Sequence, residues 1–173
     1  MWPVTLDLEI ASDPETLLDN VKHILATIQT HKALDLPGQR RVKLILIELI
    51  TNSIKHAESK WINFQIRIDE PQLCIEKLEK GLHITFSSDT PQLPFDNISD
   101  IRKINFSEMN HHQIQPLDEY KFRFLNPFEV ENLDIEHMPE HFGLYIITMA
   151  SDSFIYEYDP KLNENKYTVN LNI

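Results

Sequence analysis

The segment LILIELITNSIKHA, residues 44–57, sets one carboxylate, Glu48, into a run that is otherwise apolar from Leu44 to Ile50. A run this short fits a buried strand or a buried helix, because periodicity alone does not separate the two. The flanks favour a helix. Pro37-Gly38 breaks the chain before it, the basic residues Arg40, Arg41 and Lys43 follow, and a polar-spaced continuation reaches Ala57. Roughly twenty residues of this pattern are too many for a typical strand. One central buried helix is therefore expected, carrying a charge inside its apolar stretch.

The rest of the chain is arranged around that helix. VTLDLEI, residues 4–10, alternates as a strand with one buried face. Ser12-Asp13-Pro14-Glu15 offers a helix start, and Leu17, Leu18, Val21, Ile24, Leu25 and Ile28 recur at helical spacing, so residues 14–31 should form an amphipathic helix. Beyond the central helix, Trp61, Phe64, Ile66 and Ile68 mark a strand, Glu70-Pro71 a turn, and residues 73–78 a second strand. GLYIITMA, residues 143–150, reads as a helix, and residues 154–158 and 167–171 as two strands around Asp159-Pro160. Residues 82–140 form a long insert, with a short strand expected at 82–86 and a short helix at 98–106. The order predicts one α+β domain over residues 1–173: a two-layer α/β sandwich with helices on one face of a mixed, mainly antiparallel sheet.

Composition narrows the function classes. The chain of 173 residues carries 16 Lys plus Arg against 27 Asp plus Glu, a formal charge of −11. That balance repels a nucleic-acid backbone, and no basic cluster offsets it. No apolar run approaches the ~20 residues that cross a bilayer, so neither nucleic acid nor membrane is an expected partner. A single cysteine, Cys74, cannot pair within the chain and reads as a small core residue. A soluble protein of the cytoplasm is expected.

Glu48 and Asn52 are four residues apart and Lys55 follows three later, so the three share one helix face. A carboxylate held from water has its pKa raised, the tuning a general base needs. The Asn52 carbonyl oxygen suits magnesium, and Lys55 can offset phosphate charge. Together they point to a site for magnesium and a polyphosphate. A plainer reading pairs Glu48 with Arg41 on the same helix face as a structural ion pair. His137 and His141, with Glu136 and Glu140 beside them and His111-His112 nearby, read as surface or lid histidines, since no further residue has zinc-ligand spacing.

ELITNSIKHA resembles the N box of the GHKL ATPase superfamily, which includes gyrase-type topoisomerases, sensor histidine kinases and anti-sigma-factor serine kinases. The order of the first strand, first helix and N-box helix is most similar to the last group. HFGLYIITMASDSFIYEYDP, residues 141–160, resembles the family's second glycine box, the helix after it and the closing hairpin. The resemblance implies the GHKL, or Bergerat, fold with ATP and magnesium as ligands. Glu48 would then be the general base and Asn52 the magnesium ligand, with Lys55, His141, Gly143 and Leu144 at the nucleotide. His141 stands where the family has a glycine, so either the loop takes another path or His141 reaches toward the nucleotide. For the adenine box, Glu79-Lys80-Gly81 and Asp89-Thr90-Pro91 compete. The first keeps the glycine and the family's distance from the N box, which favours Glu79 and Gly81.

The expected function is an ATP-binding regulatory protein, an anti-sigma-factor-like protein serine kinase with an antagonist or sigma-like regulator as protein partner. Two alternatives stand beside it. One is a GHKL-fold protein-binding module with weakened nucleotide binding, whose insert serves protein contact or a homodimer. The other is a stand-alone ATPase domain of a histidine kinase system. The chain has three glycines, so a glycine-rich ATP lid is absent, and the aromatic insert is expected to cover the site or carry a partner surface.

Overall fold

The computed structural model describes residues 3–56, 59–87, 92–107, 110–126 and 142–173, with backbone only at 106–107 and 110–111. The first strand, β1 (Val4–Ala11), alternates as its sequence demands, and Asp13 then starts the first helical segment by accepting from the Glu15 N–H at 2.9 Å. One turn of 3-10 helix leads into α1 (Leu17–His31), which buries Val21, Ile24 and Ile28. The second helix, α2 (Leu36–His56), begins earlier than the Pro-Gly pair indicates. Asp35 accepts from the Gly38 N–H at 2.8 Å, which caps the helix and leaves Pro37 inside its first turn, where a missing N–H costs nothing. What reads as a break is the start of α2.

The strands β2 (Trp61–Asp69) and β3 (Gln72–Lys80) form a hairpin, and β4 (Arg102–Ser107), β5 (Asn110–Asp118) and β6 (Lys121–Leu125) form a meander. Then come α3 (Gly143–Ala150), β7 (Ser153–Asp159) and β8 (Glu164–Asn172). Among the described residues these make one eight-stranded sheet in the order β1-β2-β3-β8-β7-β6-β5-β4, with every pairing antiparallel. The sequence predicts a mixed sheet; instead every described pairing is antiparallel, with β2–β3, β4–β5, β5–β6 and β7–β8 adjacent in the chain and β1–β2, β3–β8 and β6–β7 paired across longer connections.

The insert is the larger correction. The helix expected at 98–106 is absent: Ile98 and Ile101 have helical spacing but are 52% and 60% exposed, and the buried Ile104 lies in β4 opposite His112. Residues 82–86 form no strand. The described aromatic residues of this region are mostly core. Phe122 and Phe124 face inward from β6, and Phe86 and Phe95 close over Phe122 with ring centroids 5.8 and 5.9 Å away. His112, read from sequence as a surface or lid residue, is buried between the rings of Phe124 and Tyr145. Phe128, His137 and His141 lie outside the described residues.

The helices share one face of the sheet. Ile62, Phe64, Ile66 and Ile68 of β2 are buried beneath them, while Trp61, Asn63 and Arg67 on the opposite face are exposed. This is a two-layer α+β architecture. Among the described residues, no helix is long and apolar enough to cross a membrane.

Candidate functional site

Two contacts far apart in sequence fix how α3 lies against α2. Near the start of α2, the Arg41 guanidinium donates to Ala150 O at 2.8 Å, at the end of α3, and to Asp152 at 2.8 Å. Further along α2, Glu48 and Asn52 meet Gly143, the first residue of α3. A methyl group added there would lie 2.6 Å from Glu48 Oε2 and 3.3 Å from Asn52 Oδ1. The helices therefore run antiparallel, and Arg41 is spent on α3 rather than on Glu48, which removes the structural ion pair that the sequence allows.

Glu48 and Asn52 are half-buried, and neither has a hydrogen-bond or salt-bridge partner among the described residues. Burial pushes the Glu48 carboxyl up, partly offset by the Lys55 ammonium, which is itself exposed. Among the described residues no side chain caps α3, and its first helical bond runs from the Ile146 N–H to Phe142 O. Glu48 and Asn52 pack against the first residue of α3 so closely that only a residue without a Cβ fits there. Leu144 is half-buried against the core, and its carbonyl accepts from Thr148 Oγ1 at 2.7 Å.

The proton bound by Glu48 is held more tightly in the folded than in the unfolded chain. Its ionisation therefore takes stability away as pH rises from the ordinary carboxylate range through the raised folded value. Glu48→Gln should raise the melting temperature at pH 7–8 by about 1–2 °C, with the gain vanishing below the ordinary carboxylate range. Scanning calorimetry across pH checks this, and a variant less stable than the parent at pH 8 contradicts it.

Glu79 lies near the end of β3 and faces α2, and Gly81 follows the strand. Glu79 is 11% exposed and forms an ion pair with Lys77, and Ser53, next to Asn52 on α2, donates to its Oε2 at 3.2 Å. Gly81 adopts φ +139°, a conformation that favours glycine. Asn165 secures this exit: its amide donates to Gly81 O and Leu82 O, both at 3.1 Å, and it accepts from Tyr156 Oη at 2.6 Å. Asp89, the competing adenine contact, and His141 lie outside the described residues.

The sequence reading misses Lys77. It is 1% exposed, donates to Ser53 Oγ at 2.7 Å, and sits 4.2 Å from the centre of the Tyr167 ring. Burial pulls its ammonium pKa down, with Glu79 working against that. The signal was present, since strand alternation puts residue 77 on the same face as Leu73 and Ile75, where a lysine is out of place.

Among the described residues no three His, Cys, Asp or Glu side chains are grouped to hold a metal. The donors at Gly143 fit magnesium, which takes one or two protein oxygens and completes its shell with water and phosphate. No protein-family model matches the chain, and no curated protein matches it.

Proposed function

We propose that this chain is an ATP- and magnesium-binding regulatory protein of the GHKL superfamily, built like an anti-sigma-factor serine kinase and acting on a protein partner. The observation that carries this reading is the convergence of Glu48, Asn52 and the uncapped start of α3 at Gly143, with the two side chains unpartnered among the described residues. Oxygen donors beside a helix N-terminus suit a metal-bound polyphosphate.

In this reading the start of α3, with Leu144, His141 and Lys55, binds the phosphates. Asn52 offers its oxygen to magnesium, which when bound neutralises phosphate charge. Glu48 takes the proton of a substrate serine as its oxygen bonds to the γ-phosphorus and the bond to the ADP oxygen breaks. The raised carboxyl pKa of Glu48 suits it to hold that proton. Positioning and charge neutralisation supply most of the rate. Glu79 and Gly81 lie at the base.

Titration calorimetry with a non-hydrolysable ATP analogue and magnesium should show binding that Asn52→Ala weakens at least about tenfold, the effect of losing ~1.4 kcal/mol. No heat at millimolar nucleotide sinks the reading. A second reading, a protein-binding module with weakened nucleotide affinity, is favoured by the meander β4–β6, where a glycine-rich lid would otherwise be expected. Under that reading ATP with magnesium leaves the melting temperature unchanged, whereas a ligand bound only to the folded state raises it.

A further inference from the structure

The polar group least explained by phosphate binding is the Lys77 ammonium, buried under α2. Its donors are all engaged: Glu79 Oε2, Ser53 Oγ at 2.7 Å and Leu49 O at 3.4 Å, with the Tyr167 ring on another side. It has nothing left to offer a ligand. Both contacts on Glu79, from Lys77 and from Ser53, fall on the same oxygen, Oε2. Oε1 has no partner among the described residues, and the side chain keeps 11% of its surface.

Buried ion pairs are poor sources of stability, since an apolar pair of similar volume often does as well or better. A carboxylate on a flexible stem, by contrast, discriminates between ligands only when its geometry is held. We propose that Lys77 is a positioning residue for nucleobase recognition: with Ser53 it grips Glu79 by Oε2, so that Oε1 is left to accept from the exocyclic amino group of a purine. This deepens the nucleotide reading above and rests on it. A held carboxylate oxygen attracts a 6-amino group and repels a 6-oxo group, so the ion pair sets adenine against hypoxanthine.

The test is titration calorimetry on the full chain with magnesium and three ligands: a non-hydrolysable ATP analogue, its inosine counterpart and inorganic tripolyphosphate. The unaltered protein should prefer the adenine form at least about 30-fold. Lys77→Met should cut that preference below about threefold while tripolyphosphate affinity moves less than twofold, because only the base contact is released. If Lys77→Met does not fold, Ser53→Ala decides, with a preference reduced at least about threefold. A preference unchanged in the folded variants overturns the role of Lys77 and leaves the nucleotide site standing. Equal loss of all three ligands makes the residue merely structural and also overturns it. Equal binding of both bases by the unaltered protein removes Oε1 as the acceptor, and no binding of any ligand overturns the nucleotide reading and this inference with it.

Discussion

Gly143→Ala is expected to leave the protein folded, with a melting temperature within about 3 °C of the parent, and to weaken binding of an ATP analogue at least about 30-fold, or ~2 kcal/mol. The two effects separate for a geometric reason. The new methyl would lie 2.6 Å from Glu48 Oε2, closer than a real side chain approaches, and 3.3 and 3.5 Å from the Asn52 oxygen and nitrogen. The nearest atom is the end of a flexible, half-buried carboxylate, so the clash is relieved by moving Glu48 rather than the backbone. Alanine also favours a helix over glycine by up to ~1 kcal/mol, which offsets part of the strain. The site does not recover in the same way. The carboxylate is displaced from the start of α3, and the methyl crowds the Asn52 amide that is proposed to serve magnesium. Differential scanning calorimetry and ligand titration on the same preparation check both halves. Affinity within threefold of the parent would show that the Gly143 gap is not part of a ligand site.

The sequence made the ends of the chain legible and its middle largely not. The outer strands and first two helices follow from periods that one residue pair seldom disturbs: VTLDLEI alternates, and Val21, Ile24 and Ile28 keep one helix face. Convergence at Gly143 is expected only because the two segments resemble boxes of one family; that the two meet depends on Arg41 reaching Ala150, a contact between residues 109 positions apart that no local pattern encodes. The meander fails to announce itself for a different reason. Ile98, Ile101 and Ile104 carry a spacing of three that mimics a helix, yet only Ile104 is buried. The strand is fixed by pairing with β5, a non-local interaction, and not by its own alternation. Lys77 is the reverse case: a local pattern placed it inward, but a charge on a buried face makes sense only once Glu79, Ser53 and Tyr167 are seen around it.

That surrounding predicts a large and lopsided stability cycle. Lys77→Met alone should cost about 3–5 kcal/mol, because it leaves the Glu79 carboxylate 11% exposed with only Ser53 for support. Glu79→Leu alone should also be costly, since the ammonium, 1% exposed, would keep only the Ser53 hydroxyl, the Leu49 carbonyl and the Tyr167 ring. The double variant removes both charges and should return to within about 1 kcal/mol of the parent, since matched apolar side chains fill the same space without desolvating an ion. Chemical denaturation of all four proteins measures the coupling, and additive single effects would mean that the two charges do not depend on each other.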